Sequence, residues 1–251
     1  MFAYTNFFKW VRQSGTLGRL SLLLSFALFL GGAPLFGEGY WLFNPSPKDK
    51  LRELATDRPD QTESPISVDG GHLQLEMNFL SFTYDKLGAD AGVTEKRSWN
   101  FFPFNFKIGL FSFLDFQIVY DSLLQETTVL TGRTDSSFGL GDFTLRAKLN
   151  LWGNDGGPTA LGLMPWVKLP TATAGGSYFE AGLIAPFSVE LPLKFGLGLM
   201  TEIDLVQPTG LPTWQWINSV TVSRDIAGPL SAYVEFYSLI PLADTASWQG
   251  M

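Results

Sequence analysis

Asp142-Phe143-Thr144-Leu145-Arg146-Ala147-Lys148-Leu149-Asn150-Leu151 alternates polar and apolar side chains without a fault. Successive residues of a β-strand point to opposite faces, so the five apolar residues share one face and the five polar ones the other. A strand that is wet on one side and greasy on the other, and about 10 residues long, has the length of a membrane-crossing β-strand.

On either side of it the pattern recurs. His72-Leu73-Gln74-Leu75-Glu76-Met77-Asn78-Phe79 alternates in the same way, as do the stretches 101–110, 114–121, 161–169, 180–190, 195–205, 216–223 and 231–237. Nine strands are predicted. Their connections alternate in length. The stretches Thr83 to Arg97, Ser122 to Gly139, Pro170 to Tyr178 and Gln207 to Thr213 read as long polar loops. Between them come short turns at 111–113, 153–157, Pro192 and 225–229. Outer-membrane barrels have short periplasmic turns and longer external loops, so this rhythm predicts an all-β, antiparallel up-and-down transmembrane β-barrel. An exported soluble barrel of the lipocalin type would reverse the faces, apolar inside and polar outside.

Composition agrees. Hydrophobic residues make up 45% of the 251 residues and charged residues 16%, against roughly 25% charged in soluble domains, which argues against disorder. Only one run near the N-terminus is long and apolar, which excludes a bundle of membrane-spanning helices. There is no cysteine, so disulfides and thiolate chemistry are absent. The net charge of −7 disfavours a nucleic-acid partner.

Residues 1–33 carry Lys9, Arg12 and Arg19, no acid, and the apolar core Leu20 to Leu30 before Gly31-Gly32-Ala33. A basic leader, a short apolar core and small residues make a secretory signal peptide, whose cleavage point Pro34 obscures. The domains are then 1–33 signal peptide, 34–70 periplasmic pre-barrel segment and 71–251 barrel. Nine strands starting from the periplasm would leave the C-terminus outside. The barrel is therefore expected to be C-terminally truncated, with 10–14 strands when complete.

The pre-barrel segment contains Arg52-Glu53-Leu54, Thr56-Asp57-Arg58-Pro59-Asp60 and Thr62-Glu63-Ser64-Pro65, and runs into Gly71-His72-Leu73-Gln74-Leu75-Glu76. Lys48 to Leu54 could form two helical turns; the Asp- and Pro-rich part resists regular structure. On these residues, with Ser137-Phe138-Gly139-Leu140-Gly141-Asp142 and Tyr233-Val234-Glu235, the sequence resembles the outer-membrane transporter family named for the meta-pathway of phenol degradation. The resemblance covers residues 44–251. It implies an outer-membrane barrel, and phenol itself is not carried over as substrate.

The charges on the polar parity are the lumen-lining candidates. They are the acids Glu76, Asp115, Asp121, Asp142, Glu180, Glu190, Glu202, Asp204 and Glu235, and the bases Lys107, Arg146, Lys148 and Lys168. Nine acids against four bases suggest a cation-leaning pore; the alternative is that they pair across a packed lumen. For Asp57, Arg58, Asp60, Thr62 and Glu63 the alternatives are a plug or gate folded into the lumen and a turn-rich tether outside it. The acid spacing does not match an EF-hand. His72 as a base for a serine nucleophile competes with the plainer reading of a histidine at the rim. Trp99, Trp152, Trp166, Trp214 and Trp216 lie near strand ends, as an interfacial girdle would.

The expectation is a channel or transporter of the cell outer membrane for passive passage of small solutes, aromatic or hydrophobic ones included. The alternative is a plugged structural or adhesive barrel. No catalytic residue, cofactor or metal is assigned. The expected partners are the lipid bilayer, the solute and the outer-membrane assembly machinery, without nucleic acid.

Overall fold

The computed structural model describes residues 39–57, 61–86, 93–130, 133–174, 177–207, 210–227 and 230–242. The expected signal peptide, the stretch 248–251, Arg58 and Asp60 lie outside them. Among the described residues the only helical structure is two single 3-10 turns, Lys48–Lys50 and Pro192–Lys194. The helix expected over Lys48 to Leu54 is thus one turn. Leu51 is already extended, and the Arg52 amide is drawn to the Asp69 carboxylate at 3.0 Å.

Thirteen strands follow: β1 (Leu73–Met77), β2 (Leu80–Lys86), β3 (Val93–Phe101), β4 (Phe104–Phe111), β5 (Leu114–Tyr120), β6 (Leu123–Leu130), β7 (Arg133–Leu140), β8 (Phe143–Trp152), β9 (Thr159–Leu169), β10 (Glu180–Leu191), β11 (Phe195–Val206), β12 (Thr213–Ala227) and β13 (Leu230–Leu242). All pairings are antiparallel. Nine strands form one sheet in the order β1-β4-β5-β8-β9-β10-β11-β12-β13, and four form another, β2-β3-β6-β7.

The four-stranded sheet continues the larger one. β1 and β2 are two halves of one long strand, separated by Asn78 and Phe79, and β3/β4, β5/β6 and β7/β8 are split in the same way. The splits fall at one level. Phe102 takes a left-handed φ of 55° and Pro103 has no N–H to give, while at Gly141 a Cβ would lie 2.0 Å from the Asp121 carbonyl oxygen. The predicted nine strands are all present.

Two of the predicted loops are not loops. Thr83 to Arg97 and Ser122 to Gly139 are largely the extended hairpins β2/β3 and β6/β7. Both faces of these hairpins carry polar side chains, so alternation fades although the ladder continues. Lys96–Glu126 at 3.2 Å and Thr127–Ser136 at 3.1 Å tie neighbouring strands instead.

The large sheet has inverted polarity. Lys107, Asp115, Gln117 and Lys148 are 1% exposed or less, while Leu75 is 61% and Phe236 70% exposed. Among the described residues the buried apolar cluster is Met164, Ile184, Met200 and Ile217, on the polar parity of β9 to β12. β1 and β13 are the edges of this sheet, and no ladder joins them among the described residues.

Candidate functional site

What buries the polar face is the segment before β1. Residues 52–57 and 61–69 lie as a strap along it, with backbone groups and short side chains set against inner-face positions. At three of these positions the sheet carries glycine. A Cβ on Gly109 would lie 1.9 Å from the Asp69 carbonyl oxygen, on Gly162 3.2 Å from Pro65, and on Gly198 3.2 Å from the Thr62 methyl. At Gly109 the strap leaves no room for a side chain, and at Gly162 and Gly198 it would have to give by a few tenths of an ångström.

Asp57 is the main anchor. Its carboxylate pairs with Lys148 at 2.5 Å and with Lys107, and Lys107 also meets Glu76 at 2.6 Å. The Asp57 amide donates to Glu76 at 3.3 Å, and its Oδ1 accepts from the Ser64 amide at 3.0 Å. Burial alone would raise the Asp57 carboxyl, but Lys148 and Lys107 override it and hold the group well below the usual carboxylate range. Glu63 pairs with Arg146 at 2.6 Å and leaves its second oxygen without a partner. Burial and the Asp57 charge push it up to about 7, against the pull of Arg146.

Further hydrogen bonds complete the seat. The Val68 amide donates to Asp115 at 2.9 Å, Asn150 to the Pro65 carbonyl at 2.9 Å, and Gln74 to the Ala55 carbonyl at 3.0 Å. On the far side the Thr62 amide donates to Glu235 at 2.7 Å, and its hydroxyl meets Ser219 and Thr221 at 2.7 Å each. At the short-turn end Arg52 joins Asp69 at 2.9 Å and the Ser112 carbonyl at 2.8 Å. His72 there bonds the Ser46 carbonyl at 2.7 Å, a position at the rim.

These contacts require a curved sheet. β1 and β13 are eight strand spacings apart, about 38 Å if the sheet were flat. Asp57 and Thr62, bonded to Glu76 on β1 and Glu235 on β13, can be no more than about 18 Å apart. Even with both glutamates extended the sum falls short, so the sheet curls around the strap.

The predicted lumen residues divide into groups. Glu76, Lys107, Asp115, Arg146, Lys148 and Glu235 hold the strap. Glu202 and Asp204 are buried on β11, against Trp166 at 3.0 Å and Gln215 at 3.1 Å. Lys168, Glu180 and Asp142 gather at the long-loop end, with Lys168 at 2.6 Å from Glu180 and 3.9 Å from Asp142. Asp121 accepts from Asn100 at 2.9 Å at the level where the strands split. Glu190 is on the inner parity of β10 but exposed. Trp166 is a correction: it does not belong to an outer girdle, because its register on β9 turns it inward to Glu202.

Beside the strap a cavity of about 400 Å³ remains. It is bounded by Thr62 to Pro65 on one side and by Glu190, Gly196, Gly198, Thr221 and Ser223 on the other. The charges alone did not reveal Gln74, Asn105, Gln117, Asn150, Ser219 and Thr221. All six share the parity of the charges, which was the available signal.

A family model described as "Putative MetA-pathway of phenol degradation" matches residues 56–239. Comparison with curated proteins and with solved structures finds no match.

Proposed function

The chain belongs to the MetA-pathway of phenol degradation family, and from that premise we propose that it is an outer-membrane β-barrel through which small solutes pass without chemistry. The observation that carries the reading is the inverted polarity of the nine-stranded sheet. In water, a continuous apolar outer face over a charged interior would be a large exposed hydrophobic patch. In a bilayer the same face is solvated by lipid, and the ladder satisfies the backbone groups. The sheet would close around the strap, with the four-stranded extension projecting beyond the bilayer. The rings of Phe104, Tyr120 and Phe143, packed side by side at 5.7 Å and 4.0 Å, suit the interface. The short-turn end, where the strap starts, would face the periplasm.

A seated strap favours a second reading, the plugged barrel. In the first reading solutes use the cavity beside the strap, or the strap withdraws. The chain has no cysteine, so Thr62→Cys/Ser219→Cys can lock the strap to the wall, the two hydroxyls being 2.7 Å apart. Planar-bilayer recordings then separate the cases. Ohmic steps unaffected by oxidation indicate a path beside the strap. Steps lost on oxidation and regained on reduction indicate a gate. A folded but silent barrel in both states supports the plug and defeats the channel.

A further inference from the structure

The outer face of the nine-stranded sheet bears one charge. By register the outward positions of β12 are Trp214, Trp216, Asn218, Val220, Val222, Arg224 and Ile226. Among the described residues Arg224 is the only charged side chain on the outward parity of all nine strands. An arginine on the lipid face costs about 2–4 kcal/mol at mid-bilayer and about 0–1 kcal/mol near an interface. Arg224 is at the tolerated depth, three residues before the end of β12 and beside the Pro192–Lys194 turn.

Its surroundings are built to hold more than a snorkelling side chain. The guanidinium lies 4.8 Å over the Phe195 ring, and among the described residues it forms no ion pair. A guanidinium over a ring face spends no N–H group on an ion pair there, so its donors remain available to an anion. Lys194 is next in sequence to Phe195, so two cations share this rim in a chain of net charge −7. Ala232 is the cross-strand partner of Arg224, and its small side chain opens an apolar groove of about 390 Å³. The groove runs along Phe195, Val220, Val222, Val234 and Phe236.

We propose that Arg224 and this groove form a binding site for an anionic glycerophospholipid, the guanidinium on the phosphate and one acyl chain along the groove. The site rests on the membrane reading above. Charge complementarity selects the occupant: a planar two-donor fork suits a phosphate, and the carbon-lined groove running from it toward mid-bilayer suits the attached chain. A second protein would have to bring its own anion to the same depth.

The test refolds the full chain into phosphatidylcholine vesicles doped with spin-labelled phosphatidylglycerol or spin-labelled phosphatidylcholine, and reads the immobilised fraction. Wild type is expected to hold the anionic lipid about fivefold more tightly, the worth of one cation near an anionic lipid. Arg224→Gln removes that preference, Val222→Trp fills the groove and weakens both lipids, and Arg133→Gln, on an exposed distant hairpin, changes neither. Equal immobilisation of both lipids by wild type, or a preference that survives Arg224→Gln, overturns the site. Protease protection and β-sheet circular dichroism report insertion separately. A chain that never inserts overturns the membrane reading as well, whereas an inserted but unselective one overturns the lipid site alone.

Discussion

The two halves of the inner wall treat the strap differently. The half made of β1, β4, β5 and β8 grips it with ions: Lys107 and Lys148 on Asp57, Arg146 on Glu63, and Asp115 on the Val68 amide. The half made of β9 to β13 bonds it chiefly at Thr62, through Ser219, Thr221 and Glu235, approaches it closely at Gly162 beside Pro65, and borders the cavity along β10 to β12. Three of the four predicted lumen bases are consumed on the gripping side. Glu190, Glu202 and Asp204 remain on the other side, with no basic partner within ion-pair distance among the described residues. Of these three only Glu190 lines the cavity, so a count of nine acids against four bases does not describe the surface that the cavity presents. Where the charges lie matters more than their sum.

The hardest blow to the gripping half is Asp57→Ala. It leaves Lys148 and part of the demand of Lys107 buried without a counter-charge, and breaking such a pair by removing one partner costs about 3–5 kcal/mol. The midpoint of urea unfolding in micelles should fall accordingly. Proteolysis should open the 52–69 segment first. An unchanged midpoint would mean that the strap is not held as described.

Gly109→Ala should come next, at about 1–3 kcal/mol, because the added methyl meets the fixed carbonyl of Asp69 rather than a flexible side chain. Gly156→Ala has open space around it but a φ of 103°, so its cost would be backbone strain alone and would not loosen the strap. Comparing protease sensitivity of residues 52–69 in the two variants separates the effects.

Acidity sharpens the contrast within the grip itself. Glu63 is pushed up to about 7 from 4.5, so the folded state holds its proton longer than the unfolded chain. Its contribution to stability should therefore decline as pH rises from 4.5 to about 7 and then level off. Asp57 has the opposite sign: its stabilisation is present above its unfolded value of 3.8 and is lost as pH falls through its lowered folded value. Unfolding midpoints from pH 4.5 to 8 should show the decline in wild type and a shallower one in Glu63→Gln.

The smallest effect on stability belongs to the open half. Glu190→Gln on the exposed cavity wall should change the unfolding free energy by less than about 0.5 kcal/mol. Any cation preference should nevertheless drop, read as a reversal-potential shift toward zero in asymmetric salt. A preference that stays intact would put the conducting path elsewhere.

Strand existence, strand parity and therefore wall polarity were legible in the sequence, because alternation is forced wherever the two faces meet different media. Phe143 to Leu151 and Leu73 to Met77 need no tertiary information to be read. The hairpins β2/β3 and β6/β7 were hidden for the same reason reversed: the face that bears Phe82, Tyr84, Trp99 and Phe138 also bears Arg97, Gln125 and Thr127, so the period is broken. Parity also placed Trp166 inside, beside Lys168, where a reading by strand ends had put it outside.

The sequence by itself determined that one face of this sheet is charged and the other greasy, since that follows from residue order along each strand. Only the tertiary structure decided what the charged face holds. The strap has no periodicity to read, and the partners of Asp57 lie 50 and 91 residues away. Which lysine meets which carboxylate is fixed by the curl of the sheet and by the room left at Gly109, Gly162 and Gly198. None of these is a property of a local stretch of chain.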